Sequence, residues 1–263
     1  MKKSLIKSVF GNIYLVIIMV FLYIPILTMA VLSFNSSKSR AIWGGFTLEW
    51  YAELVSSPTI IDALKNTLII ASVSSLVATI IGTVACVGIT ALGRRQRSIV
   101  MGITNIPMLN ADIVTGISLM LTFIAFGISL GFGTILISHI TFNIPYVILN
   151  VMPKLKQTSK STYEAAMDLG ATPLYAFMKV VFPDILPGVL SGALLSFTMS
   201  LDDFIITHFT KGAGIDTLST LIYSEVRRGI RPSMYALSTI IFVVVLIMLM
   251  ISNFSSDKNK PRR

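Results

Sequence analysis

The charges of this chain leave long gaps, and those gaps decide what it can become. No charged residue falls between Lys7 and Lys38, a run of 30 residues, or between Lys65 and Arg94, a run of 28. The 56 residues from Ser98 to Pro153 hold one acidic side chain, Asp112. Ile185 to Leu201 adds 17 uncharged residues, and Pro232 to Ser256 another 25. About 20 apolar residues cross a bilayer as a helix, which satisfies its own backbone polar groups. The longest stretch therefore holds two crossings, broken near Gly127–Gly133. The expectation is an all-α, polytopic membrane protein with six transmembrane helices, near 12–34, 66–92, 99–126, 133–152, 185–208 and 233–254. It forms a single domain over residues 1–263. With 54% hydrophobic and 13% charged residues, a disordered chain and a typical soluble enzyme are excluded.

Lys and Arg set the orientation. With the N-terminus inside, the inner segments carry fourteen basic residues: Lys2, Lys3, Lys7, Arg94, Arg95, Arg97, Lys154, Lys156, Lys160, Lys179, Lys258, Lys260, Arg262 and Arg263. The outer segments carry seven: Lys38, Arg40, Lys65, Lys211, Arg227, Arg228 and Arg231. Both termini are therefore expected in the cytoplasm. Basic loops meeting anionic headgroups account for the net charge of +9 without a nucleic-acid partner. The apolar run at residues 8–37 is longer than that of a signal peptide, so it reads as an uncleaved helix. The one cysteine, Cys86, forms no intrachain disulfide and reads as a small packing residue.

Local signals fill in the rest. Thr47 and Glu49 suggest a short outer helix with Thr47 as its cap, and Trp43, Trp50 and Tyr51 suit an interfacial aromatic belt. Ser74, Ala78, Gly82 and Cys86 recur every four residues, a stripe that lets membrane helices approach closely. Pro107, Pro145 and Pro153 are expected to interrupt the third and fourth helices. The inner loop at 153–184 reads as helix, turn, helix. Ser161 or Thr162 caps a helix running to Leu169, and Gly170 supplies the left-handed residue that ends it. Thr172 with Pro173 starts a second helix, which stops at Pro183.

That loop carries Glu164-Ala165-Ala166, three residues, Gly170, nine residues, then Val180, Phe182 and Pro183. It resembles the EAA loop of binding-protein-dependent ABC importer permeases, whose pattern has Ile and Leu where Val180 and Phe182 stand. Phe34-Asn35-Ser36, Gly45-Phe46-Thr47, Trp50-Tyr51, Asn110-Ala111-Asp112-Ile113-Val114, Ser138–Phe142 with Pro145, and Ser196–Phe204 are similar to the permeases of spermidine/putrescine importers. The resemblance implies the ABC type-1 (MetI-like) permease fold in the bacterial cytoplasmic (inner) membrane. It implies a complex of two different permease subunits, two cytoplasmic ATPase subunits and an extracytoplasmic polyamine-binding protein. The loop, through Glu164, Ala165, Ala166, Gly170 and Pro183, would seat in a cleft of the ATPase and transmit its closure.

Asp112, Asp202 and Asp203 are the acidic residues well inside the expected helices. A carboxylate there is costly, about 2.5–3.5 kcal/mol at a helix centre, so it is expected to face a cavity, a partner or a basic group. Spaced carboxylates would stabilise the ammonium groups of a polyamine along a substrate path. Neighbouring residues point about 100° apart, so Asp202 and Asp203 do not both face one cavity; one is free to bond backbone or an Arg of 227–231. His139 and His208 have no ligand-spaced partners and read as hydrogen-bonded structural histidines rather than a metal site. Glu225 beside Arg227 and Arg228 reads as a solvated charge pair. No phosphate-binding Gly-Lys-Ser/Thr loop occurs, so the chain is expected to be non-catalytic, with no cofactor of its own and with ATP and Mg used by a partner. An intramembrane enzyme finds no Gly-x-Ser-Gly and no carboxylate–His pair at useful sequence spacing. A different cargo remains open, though an anion would want basic groups in the interior.

Overall fold

Helices account for nearly every apolar run. A computed structural model of the chain describes residues 2–39 and 41–257, with side chains from Ile13 to Val243 and at Leu246 and Ile247 among them. The cationic positions Arg40, Lys258, Lys260, Arg262 and Arg263 lie outside the described residues, as do the side chains of Lys2, Lys3 and Lys7. The helices are α1 Lys2–Leu32, α2 Glu49–Ser56, α3 Pro58–Ala91, α4 Arg94–Leu109, α5 Asp112–Ala125, α6 Phe132–Gln157, α7 Lys160–Asp168, α8 Pro173–Ala176, α9 Phe182–Asp202, α10 Ile205–Thr210, α11 Leu218–Arg228 and α12 Pro232–Asp257. The chain divides into two compact units, one of residues up to Ile61 together with those from Ile222, the other Asp62–Leu221.

Among the described residues, four segments are long and apolar enough to cross a membrane: Ile13–Leu32, Pro58–Ala91, Phe132–Gln157 and Pro173–Asp202. The expected third helix at 99–126 is two helices, α4 and α5, bent by 104° at Asn110–Ala111. The expected fifth helix at 185–208 also breaks, at Asp203–Phe204. The expected sixth falls on α12, whose described apolar part is Pro232–Val243. Pro145 and Pro153 do not interrupt α6, which runs through both. Its buried face packs on α3 and α9, and such packing holds a membrane helix together despite a missing N–H.

In the larger unit, α6 and α9 run antiparallel at close range. His139 stands opposite Ser200, Val147 opposite Gly192, and Asn150 opposite Gly188. Glycine is what permits the approach: a Cβ on Gly188 would stand 2.9 Å from the Asn150 carbonyl oxygen, which is backbone and cannot swing aside. Gly188→Val is expected to separate the helices and lower stability by about 1–3 kcal/mol, read as a lower melting midpoint of the detergent-extracted protein. The small-residue stripe of α3 packs here too, with Ala78 and Cys86 buried and the Cys86 thiol 3.6 Å from the Ile148 carbonyl.

The smaller unit holds the loop between α1 and α2. Asn35 organises it. Its side chain donates to the Ile42 carbonyl at 2.9 Å and accepts from the Gly44 N–H at 2.8 Å, while its own carbonyl accepts from the Trp50 indole at 2.7 Å. Trp50 is therefore buried inside the loop rather than in an aromatic belt, and Tyr51 bonds Ser33 at 2.7 Å; only Trp43 is exposed. The α2 cap residue is Leu48, but the Thr47 hydroxyl still accepts from the Glu49 N–H at 3.1 Å. Glu225 is also buried, not solvated, and pairs with Arg231 at 3.0 Å instead of Arg227 or Arg228.

Candidate functional site

Each break has acidic residues beside it, and the two breaks use theirs differently. Asp112 is exposed in the first turn of α5, at the positive end of the helix, not at a helix centre. Asp202 ends α9 and is exposed. Asp203 turns inward and caps α10. Its carboxylate accepts the Ile206 N–H at 3.2 Å, the Thr207 N–H at 2.8 Å and the Thr207 hydroxyl at 2.8 Å. Its carbonyl accepts from Ser219 at 2.6 Å. The two short pieces pack together: a Cβ on Gly116 of α5 would lie 3.4 Å from the Ile206 Cα of α10.

The structure also brings together residues far apart in the chain. His139 Nε2 lies 2.9 Å from the Thr207 hydroxyl and 3.4 Å from Asp203 Oδ2, and Nδ1 lies 2.6 Å from Ser200 Oγ. Ser200 Oγ is in turn 3.1 Å from Ser74 Oγ of α3. The hydroxyl proton of Thr207 goes to Asp203, so Thr207 accepts from His139 Nε2–H. In the neutral ring Nδ1 then accepts from Ser200. This buried line ties α3, α6, α9 and α10 into one frame. Spacing along the chain shows no carboxylate–His pair, yet the fold makes one, because the loops between close it. His208 is not in this line; it stacks on Phe204 with ring centroids 5.2 Å apart.

The loop at 153–184 forms a rigid elbow. Its first helix begins at Lys160 behind a Ser159 cap, two residues before the expected Ser161. Gly170 takes φ +91°, and the bonds Ala171 N–H to Ala166 carbonyl, 3.1 Å, and Gly170 N–H to Met167 carbonyl, 2.9 Å, close a complete Schellman turn. Thr172 caps the next helix by accepting from the Tyr175 N–H, with Pro173 in its first turn. Pro183 does not stop that helix. A π-helical turn at Phe177–Val181 precedes it, in which the Phe182 N–H reaches back to the Phe177 carbonyl. The wider turn relieves the clash a proline ring makes with the carbonyl of the previous turn, so the helix continues into α9. Glu164 and Ala165 are exposed and Ala166 half-buried. Leu169 is 90% and Leu174 73% exposed, which leaves an apolar knuckle without cover from this chain.

Helices broken inside an apolar bundle, with an exposed rigid elbow at the far end of α9, fit a solute-transport permease rather than an inert anchor. The chain belongs to the family described as binding-protein-dependent transport system inner membrane component, which matches residues 78–258. It is 38% identical over 248 residues to the spermidine/putrescine transport system permease protein PotC of Escherichia coli strain K12, covering 94% of each chain. It is 37% identical over 265 residues to the putrescine transport system permease protein PotI of the same strain, covering 98% of this chain and 94% of that one. A chain of a solved bacterial ABC transporter that imports the acidic polysaccharide alginate superposes with a TM-score of 0.76. It covers 99% of this chain and 98% of that one at 17% identity, a likeness of fold. The chain is thus an all-helical inner-membrane permease of the ABC importer kind.

Proposed function

We propose that this chain is one of two different permease subunits of an ATP-driven polyamine importer. The similarity to spermidine/putrescine permeases over nearly the whole chain carries the reading. In it the chain crosses the membrane six times with both termini in the cytoplasm. The elbow at Glu164–Gly170 docks a cytoplasmic ATPase, and an extracytoplasmic binding protein delivers the cargo. The chain itself is non-catalytic. The His139–Ser200 line is composed like a hydrolase relay, but His139 is 1% exposed and Ser200 is buried, so it serves the frame.

The acidic positions fit a cationic cargo. Asp202 adds an exposed carboxylate to the negative end of α9, where terminal carbonyls already attract cations. Asp112, also exposed, stands in the first turn of α5 beside the other break. Two exposed carboxylates on different helices suit a chain of ammonium groups parted by methylenes. Asp203 is bound to the frame and positions the break rather than the cargo.

The test is uptake of labelled spermidine and putrescine into vesicles holding the full complex. Asp202→Asn is expected to lower ATP-dependent uptake about tenfold, the loss of a charge-assisted contact of roughly 1.5 kcal/mol, with assembly intact. Normal uptake by the Asp112→Asn/Asp202→Asn/Asp203→Asn variant would sink the acidic path. No polyamine uptake by the intact complex would move the cargo to another solute.

A further inference from the structure

A cavity of about 1360 Å³ lies between α3, the end of α6 and the elbow, away from both helix breaks. One wall is a single stripe of α3, Ile80, Val84, Val87 and Ala91, at helical spacing. Facing it are Leu155, Phe177, Val181 and Val189. Its rim at one end carries Arg97, Lys156 and Lys160 against one carboxylate, Glu164. None of the ion pairs among the described residues engages these three cations. Thr83, on the same lining, is buried and its hydroxyl has no partner among the described residues.

The geometry points to a site for one anionic phospholipid, headgroup on Arg97, Lys156 and Lys160 and acyl chain along α3. The charge excludes this cavity as a passage for a polycation, which the rim repels and a lipid phosphate neutralises. The length agrees as well. From Ile80 to Ala91 the axis of α3 rises about 16 Å, and one leaflet of a ~30 Å hydrocarbon core is about 15 Å deep. Basic pockets between membrane helices at the cytoplasmic side recognise anionic headgroups by this chemistry. Because Phe177 and Glu164 belong to the elbow, a lipid seated here touches the segment that moves with the ATPase.

The test is the lipid that stays with the protein. The assembled complex is purified from membranes of phosphatidylethanolamine, phosphatidylglycerol and cardiolipin, and retained lipid is counted by headgroup class. Anionic lipid is expected above its share of the membrane. Arg97→Gln/Lys156→Gln/Lys160→Gln is expected to lower it about fivefold or more, roughly what losing even one surface cation's attraction gives, with phosphatidylethanolamine unchanged. Val84→Trp, which fills the apolar end and alters no charge, lowers it too; that arm separates a lipid from a free phosphate, which would ignore it. Retention of Arg97→Lys at the original level checks that the chain still folds. Equal anionic lipid in every variant overturns the proposal, as does efficient cross-linking of Val84→Cys, in a Cys86→Ser background, to another subunit, which would make the occupant a protein helix.

Discussion

Asp203→Ala is expected to destabilise the folded chain by about 2–4 kcal/mol, because a helix cap is lost and buried donors are left without their acceptor. The carboxylate is 9% exposed and holds His139, two backbone N–H groups and a hydroxyl. Without it the first turn of α10 loses its cap, and the donors around it face apolar surroundings. Asp203→Asn keeps one acceptor and is expected to lose about half as much. The neighbouring Asp202→Ala, at an exposed position, is expected to leave stability unchanged. Thermal unfolding of the detergent-solubilised complex, followed by the fraction still eluting as a single species, separates the three. Equal midpoints for Asp203→Ala and Asp202→Ala would remove the frame role from Asp203.

Leu169→Asp with Leu174→Asp is expected to abolish coupling while sparing the fold. Both leucines are exposed on the elbow, so the folded chain gives up no buried apolar contact. Seated in a partner's cleft they would be desolvated anchors, where a charge costs 2 kcal/mol or more, about thirtyfold in affinity. The measurement is recovery of the ATP-hydrolysing subunit with the chain, alongside polyamine uptake. Loss of both, with unchanged amounts of chain in the membrane, is the expected result. Full recovery of the ATPase subunit would place its docking surface elsewhere.

The elbow could be read before any coordinates because its chemistry is local. Gly170 must supply a positive φ, Thr172 and Pro173 together start a helix, and both act within a few residues. The start was misread by two residues because Ser159 and Ser161 are equally good caps, and their hydroxyls in fact bond each other at 2.6 Å. Pro183 misled for a related reason. A proline states only that one hydrogen bond is missing, while the π turn that absorbs it depends on five residues and on packing beneath them. Trp50 and Glu225 were read as surface residues from their neighbours in the chain. Asn35 and Arg231, which bond them, are brought near by a loop closure that composition does not reveal.

What the sequence by itself determined was the solvent and the class. A chain so poor in charge must hide its backbone in helices within a bilayer, and a loop with Glu-Ala-Ala and a fixed glycine must present a stiff elbow. What only the tertiary structure decided was the use of each acidic residue. Asp202 and Asp203 are adjacent and chemically identical, and no pattern distinguishes them. The break at Asp203 turns one carboxylate onto α10 and His139 and leaves the other exposed. That choice rests on distances of 2.6 to 3.4 Å between residues more than sixty positions apart. Hydrogen bonds reward such contacts only once the helices have packed.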